Sequence, residues 1–94
     1  MATYRNAPVD AVIDVRSRVE FFFGHLPGST CIPLGGLEAA MQRREDITPD
    51  SSILVVCASG ARSANAAAVL RRLGYRRVVD GGGYTQARAH YHAE

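Results

Sequence analysis

The stretch that decides the fold is Ser52-Ile53-Leu54-Val55-Val56-Cys57-Ala58-Ser59-Gly60-Ala61-Arg62-Ser63. Its first half is apolar through the centre, which is typical of a parallel strand covered on both faces. Its second half is a glycine-containing loop that leads into a helix, whose apolar stripe is Ala66, Val69, Leu70 and Leu73. In open parallel sheets, ligands bind in the loops that follow the carboxyl ends of strands. The pattern therefore predicts a parallel sheet with a ligand-binding loop that begins at Cys57.

Further strands and helices alternate on both sides of this stretch. Short apolar or β-branched segments predict strands at residues 11–15, 29–33 and 75–79. Segments with helical spacing predict helices at residues 17–23 and 34–44, and a short helix is expected within the tail 84–94. In the first helix, Ser17 and Glu20 have capping-box spacing, and Val19, Phe22 and Phe23 share one face. We therefore expect one α/β domain over residues 1–94, with a small parallel sheet of four to five strands and helices on both faces.

Composition excludes several classes of function. The net charge is only +2, and the absence of lysine excludes Schiff-base and Walker-type chemistry. The arginines are dispersed and lack the aromatic platform that nucleic-acid binding favours. No apolar run approaches the roughly 20 residues that span a bilayer, and the N-terminus lacks the apolar stretch of a secretory signal. We therefore expect a cytoplasmic domain that binds neither nucleic acid nor a membrane.

The two cysteines, Cys31 and Cys57, are expected to be free thiols in that compartment. No close spacing of cysteine and histidine supplies a zinc site, and His90 and His92 fall on opposite sides of any helix, so no metal is expected. Cys31 is expected to be a small core residue, with a role as a resolving thiol as the alternative.

Cys57 stands where several features favour a reactive thiolate. The unpaired N–H groups of a helix N-terminus stabilise a thiolate and lower its pKa. Successive N–H groups of a tight loop also form a nest for an anion, and Gly60 supplies the backbone freedom that this needs. Small side chains keep the loop mouth open: Ala58, Ser59 and Ala61. Arg62 adds a cation for an anionic substrate. The alternatives are an inert buried cysteine and a structural arginine.

Four blocks of sequence occur in order along the chain. They are Ile13-Asp14-Val15-Arg16; Glu20 with Gly24-His25-Leu26-Pro27-Gly28-Ser29 and Ile32-Pro33; Cys57 to Ser63; and Leu73-Gly74-Tyr75 with Asp80-Gly81-Gly82. Together they resemble the rhodanese (thiosulfate sulfurtransferase) family, from about Val12 to Gln86. Four residues separate Cys57 from Arg62, whereas the related cell-division phosphatases have five, so phosphatase and arsenate-reductase activities are disfavoured. The family usually carries a tryptophan near the position of Gln86, and this chain has none.

The resemblance implies a rhodanese-like fold and sulfur transfer without a metal or an organic cofactor. It implies that the Cys57 thiolate takes the outer sulfur of a donor such as thiosulfate and carries it as a persulfide. A protein or small thiol, or cyanide in an assay, would accept the sulfur. The loop N–H groups from Ala58 to Ser63 would bind the substrate. Asp14 and Arg16 would support the loop, and His25 would hold backbone. The alternative is a sulfur carrier or docking module that depends on a protein partner.

Overall fold

A computed structural model describes residues 1–94 and contains two β-sheets. Four strands form a parallel sheet: β3 (Ala11–Asp14), β4 (Thr30–Cys31), β5 (Ser52–Cys57) and β6 (Arg77–Gly83). Their order across the sheet is β4-β3-β5-β6. Three others form an antiparallel sheet in the order β2-β1-β7: β1 (Ala2–Tyr4), β2 (Ala7–Val9) and β7 (Tyr91–Ala93). The parallel sheet confirms the predicted α/β fold, whereas the antiparallel sheet was not predicted.

Four α-helices connect or follow these strands: α1 (Arg18–Phe22), α2 (Leu37–Arg43), α3 (Ala61–Arg72) and α4 (Tyr84–Arg88). A 3-10 turn, Leu34–Gly36, precedes α2. The predicted capping box of α1 is present, because the Glu20 N–H donates to Ser17 Oγ at 3.2 Å and the Ser17 N–H donates to Glu20 Oε1 at 3.0 Å. None of the helices combines the length and the apolar character needed to cross a bilayer.

Strand β5 is apolar throughout because both of its faces are covered. Ile53, Val55 and Cys57 belong to one core cluster, and Leu54 and Val56 belong to another, as the alternation along a strand requires. The first cluster takes half of its other members from α2 and α3, including Leu37, Met41, Ala66 and Leu70. The second takes them from α4, the α1–β4 loop and the antiparallel sheet, including Ala87, Leu26, Tyr4 and Tyr91.

Strand β6 is longer than predicted, because the glycines that were expected to follow the strand lie within it. A Cβ atom on Gly81 would lie 2.9 Å from Leu54 Cδ1 and 3.1 Å from the Val55 carbonyl oxygen. Glycine inside a strand often marks such a close approach of two backbones. The pairing of β5 with β6 also shifts register between Val55 and Cys57. The glycines therefore bring the end of β6 against the end of β5, where the predicted site begins.

The apolar face of α1 lies in solvent rather than in the core. Val19, Phe22 and Phe23 share this face as predicted, yet they are 68%, 79% and 82% exposed. Helix α1 has no buried residue and is only five residues long. It is therefore held by its cap and by polar contacts, not by packing of its apolar side chains.

Candidate active site

Cys57 ends β5 and is completely buried. Its Sγ accepts a hydrogen bond from the Gly60 N–H at 2.8 Å. Gly60 has a φ of +100°, in the left-handed region that side chains disfavour. This conformation turns the chain so that the first residues of α3 follow directly on the loop. The predicted loop therefore closes around the sulfur through backbone groups.

The surroundings of Cys57 stabilise its thiolate form. Burial acts to raise the pKa of the thiol, but hydrogen bonds from the Ser63 side chain and from the Ser63, Gly60 and Ser59 N–H groups outweigh it. The net result is a pKa below the ordinary value of 9.0. The buried Ser63 hydroxyl has two acceptors within reach, the Cys57 sulfur and the Gly60 carbonyl oxygen at 3.0 Å. Because a hydroxyl can rotate, its proton can turn to the sulfur when the thiolate forms.

Arg62 does not stand free at the end of the loop. Its Nη1 and Nη2 each donate to a different oxygen of Glu20 at 3.1 Å, although the two residues are 42 positions apart. Both side chains are about one third exposed. The hydrogen bonds from Arg62 and from the Ser17 backbone lower the pKa of Glu20 to about 2. Glu20 therefore belongs to this region as the partner of Arg62, a role that its local sequence did not indicate.

Asp14 and Arg16 form a buried, two-pronged ion pair at the end of β3. Arg16 Nε donates to Asp14 Oδ1 at 2.9 Å, and Arg16 Nη2 donates to Asp14 Oδ2 at 2.7 Å. The same Nη2 donates to the Gly24 carbonyl oxygen at 2.6 Å, and the guanidinium lies 4.4 Å from the centre of the Tyr84 ring. These hydrogen bonds reach the turn after α1 and not the loop 57–63. The pair therefore positions α1, which in turn carries Glu20 to Arg62.

The last residue of β6 and the first residues of α4 form a wall beside the loop. A Cβ on Gly83 would lie 2.9 Å from the Ala58 carbonyl oxygen, so only a bare backbone fits there. Tyr84 follows, and a Cβ on Gly24 would lie 2.9 Å from its hydroxyl. Gln86 is exposed, and its side chain lies near Gly83. Tyr84 is thus an aromatic neighbour of the site that sequence reasoning missed, because its contacts are distant in sequence.

Two other polar candidates are engaged elsewhere. The His25 ring stacks on Phe21 with centroids 3.7 Å apart, and its Nδ1 lies 2.8 Å from the Phe21 carbonyl oxygen. Cys31 donates its thiol to the Arg16 carbonyl oxygen at 3.7 Å, and burial raises its pKa above 9.0. No group of three or more His, Cys, Asp or Glu side chains is arranged to hold a metal ion.

The opposite pKa shifts of the two thiols lead to a testable difference. We expect iodoacetamide to alkylate Cys57 with a pH midpoint below 9.0 and Cys31 with a midpoint above 9.0, because only the thiolate reacts. Peptide mass spectrometry at a series of pH values would follow both sites in one sample. Ser63→Ala should raise the Cys57 midpoint and leave that of Cys31 unchanged. A Cys57 midpoint at or above that of Cys31 would contradict this account of the loop.

Known proteins with similar sequences involve sulfur chemistry. The sequence pattern of the Rhodanese-like domain family matches residues 2–89. The chain is 33% identical to YrkF of Bacillus subtilis, provisionally named a sulfur carrier protein, over 73% of this chain and 36% of that protein. It is also 33% identical to a sulfurtransferase of Allochromatium vinosum, over 73% of this chain and 62% of that protein. The chain thus spans less than two thirds of the length of either relative.

Solved structures share the fold. The human single-domain sulfurtransferase TSTD1 superposes with a TM-score of 0.71 at 30% identity, over 81% of this chain and 78% of that one. A rhodanese from E. coli superposes with a TM-score of 0.73 over 89% of this chain and 98% of that one. Its identity is only 24%, so this second likeness concerns the fold alone.

Proposed function

Because this chain belongs to the Rhodanese-like domain family, whose sulfurtransferases and sulfur carriers it resembles, we propose that it transfers sulfane sulfur through a persulfide on Cys57. One observation carries the proposal. The Cys57 sulfur lies at the start of a loop whose Gly60 N–H donates to it at 2.8 Å. Such a donor stabilises a negative charge on sulfur before, during and after transfer.

In the first step, the Cys57 thiolate attacks the outer sulfur of a donor such as thiosulfate. A new S–S bond forms to Cys57, and the S–S bond of thiosulfate breaks with its electron pair, which leaves on sulfite. In the second step, a nucleophile such as cyanide attacks the outer sulfur of the persulfide, thiocyanate leaves, and the Cys57 thiolate returns. The two steps are separate displacements, so ping-pong kinetics are expected. No oxidant, metal or organic cofactor is needed for this sequence.

The residues of the loop have separate roles in this proposal. The N–H groups from Ala58 to Ser63 bind the anionic sulfur and the donor, and the Ser63 hydroxyl stabilises the thiolate when Cys57 is the leaving group. Arg62 has five N–H donors, of which two are occupied by Glu20, so three remain for an anionic donor. Asp14 and Arg16 act at a distance, by positioning the turn after α1.

The proposal also covers the extent of the domain, its cellular compartment and its sulfur acceptor. We propose that residues 1–94 act as one rhodanese-like domain, since β1 near the N-terminus pairs with β7 near the C-terminus. The two free cysteines suit a reducing compartment, and we propose the cytoplasm. The physiological acceptor in this proposal is a protein or small thiol.

The proposal is tested by loading the protein with sulfur. After incubation with thiosulfate, intact mass spectrometry should show a gain of one sulfur atom, and cyanide should remove it with release of an equal amount of thiocyanate. Cys31→Ser is the matched control and should load as the wild type does, because Cys31 only donates to a backbone carbonyl. A gain of sulfur that survives in a chain without Cys57 would contradict the proposal.

The same experiment separates the enzyme from a sulfur carrier. The carrier is the second candidate because of the likeness to YrkF, which is provisionally named a sulfur carrier protein. A carrier would gain no sulfur from thiosulfate but would gain it from a persulfide donor such as glutathione persulfide. A failure to gain sulfur from either source would exclude both functions.

A further inference from the structure

The exposed large hydrophobic side chains of this protein are concentrated on one face of α1. Of the five large hydrophobic side chains that are exposed, three lie here, and we call Val19, Phe22 and Phe23 the α1 face. The rings of Phe22 and Phe23 pack edge to face with centroids 5.4 Å apart. Together the three side chains offer on the order of 400 Å² of apolar surface. Exposed patches of that size on a monomer are often functional.

This face adjoins the candidate active site. Phe23 caps the C-terminus of α1 with helical backbone angles and is three residues after Glu20, so the two side chains are neighbours on one helical turn. Glu20 binds Arg62, the residue at the end of the Cys57 loop. The apolar surface therefore begins one helical turn from the ion pair beside the loop. A molecule that rests on it would lie next to Arg62 and the end of the Cys57 loop.

The charges around the α1 face are basic. Arg18 is exposed on the side of the α1 face opposite Glu20, and it makes no ion pair. Arg88, also without an ion pair, lies 5.8 Å from the Tyr84 ring, and Tyr84 packs against Gly24 immediately after the face. The nearby carboxylates are already engaged, Glu20 with Arg62 and Asp14 with Arg16. The surface is thus complementary to a ligand that is both apolar and acidic.

We propose that the α1 face docks a partner protein that presents a cysteine within an acidic segment with apolar side chains, while sulfur passes between that cysteine and Cys57. The inference rests on the proposed function and states the kind of protein with which Cys57 exchanges sulfur. The area of the face is about half of the roughly 800 Å² per partner in a stable interface, which suits a contact that must release after transfer. A second copy fits less well, because a two-fold contact would bring the basic flanks of both copies together.

The transfer step itself needs no further reactant. The partner's thiolate attacks the outer sulfur of the Cys57 persulfide in its –S–SH form. An S–S bond forms to the partner, and the Cys57 S–S bond breaks with its electron pair remaining on Cys57. The outer sulfur moves with its hydrogen, and the resulting Cys57 thiolate is stabilised by the loop N–H groups.

The test compares acceptors of different size and charge. The probes are cyanide, a synthetic peptide with one cysteine between leucines and glutamates, and the same peptide with lysines in place of the glutamates. Protein loaded with sulfur by thiosulfate, or by glutathione persulfide if thiosulfate does not load it, is mixed with each probe. We expect the acidic peptide to react faster than the basic one, with a difference that shrinks as salt increases.

Substitution of the face should affect only the peptide. In F22S/F23S, the rate constant for the acidic peptide should fall at least about tenfold, because two aromatic contacts are lost. Loading and discharge by cyanide should stay at the wild-type rates. Val79→Ser, which removes an exposed apolar side chain from β6 instead, is the matched control and should change none of the rates. R18E should weaken transfer to the acidic peptide and improve transfer to the basic one.

The outcomes separate the two proposals. If the wild type loads and cyanide discharges it, but F22S/F23S transfers to the acidic peptide at the wild-type rate, the docking proposal is wrong and the proposed function stands. If the wild type loads from neither donor, both proposals fail. Sedimentation tests the remaining alternative. If the wild type is a dimer and the F22S/F23S variant is a monomer, the α1 face joins two copies of this chain. That result would overturn the assignment of a partner protein.

Discussion

Replacement of Cys57 by serine is expected to lower kcat/KM for sulfur transfer from thiosulfate to cyanide by at least about 10³-fold, as loss of a nucleophile does in other enzymes. A serine hydroxyl is a far weaker acid than a thiol and cannot hold a sulfane sulfur as a persulfide. The Gly60 N–H and the Ser63 hydroxyl would remain as donors. They would bind an anion but would have no sulfur nucleophile to stabilise. Steady-state assay of released thiocyanate measures the loss.

The Cys57→Ser loss must be separated from unfolding. The substituted oxygen is smaller than sulfur and can still accept from the Gly60 N–H, so the loop should keep its shape. Circular dichroism and a thermal unfolding curve would verify this. Cys31→Ser is the matched control and should retain full activity, because its hydroxyl can also donate to the Arg16 carbonyl oxygen. Equal losses in the two serine variants, or activity that survives in Cys57→Ser, would contradict the assignment of the nucleophile.

The parts of this protein that sequence predicts well are those with local signals. Strand β5 was predicted with its observed bounds, because burial on both faces makes the strand an unbroken apolar run. The cap of α1 was predicted because Ser17 and Glu20 contact each other three residues apart. The loop after Cys57 followed from the position of its glycine and of the helix behind it. In each case, the signal lies in consecutive or closely spaced residues of the chain.

The parts that escaped prediction depend on contacts between distant residues. Strands β1, β2 and β7 are three residues each, too short to show a two-residue alternation. Their pairing joins the two ends of the chain, and Tyr4 and Tyr91 complete a core cluster that no local pattern indicates. The ion pair of Glu20 with Arg62 spans 42 positions. The spacing of Val19, Phe22 and Phe23 placed them on one face but did not indicate whether that face is buried.

The largest expected effect on stability is at Asp14. We expect Asp14→Ala to lower the free energy of unfolding by about 3–5 kcal/mol, because it leaves the buried Arg16 charge without its carboxylate. The total for a domain is only about 5–15 kcal/mol, and a chain this short has a small core, so much of the population would unfold. Urea unfolding followed by circular dichroism measures the change. The substitution of Asp14 would also loosen the turn at Gly24, because Arg16 donates to the Gly24 carbonyl oxygen. The helix that carries Glu20 would be loosened with it.

The chain contains a matched control for the burial of this ion pair. Arg44 and Asp46 form the same two-pronged contact over the same spacing, with both distances 2.8 Å, but at the surface. Asp46→Ala should leave the free energy of unfolding nearly unchanged, because water solvates the arginine that remains. In Asp14→Leu/Arg16→Met, which removes both buried charges, we expect part of the loss to be recovered. Equal effects of the two alanine substitutions would show that desolvation of Arg16 is not the cause.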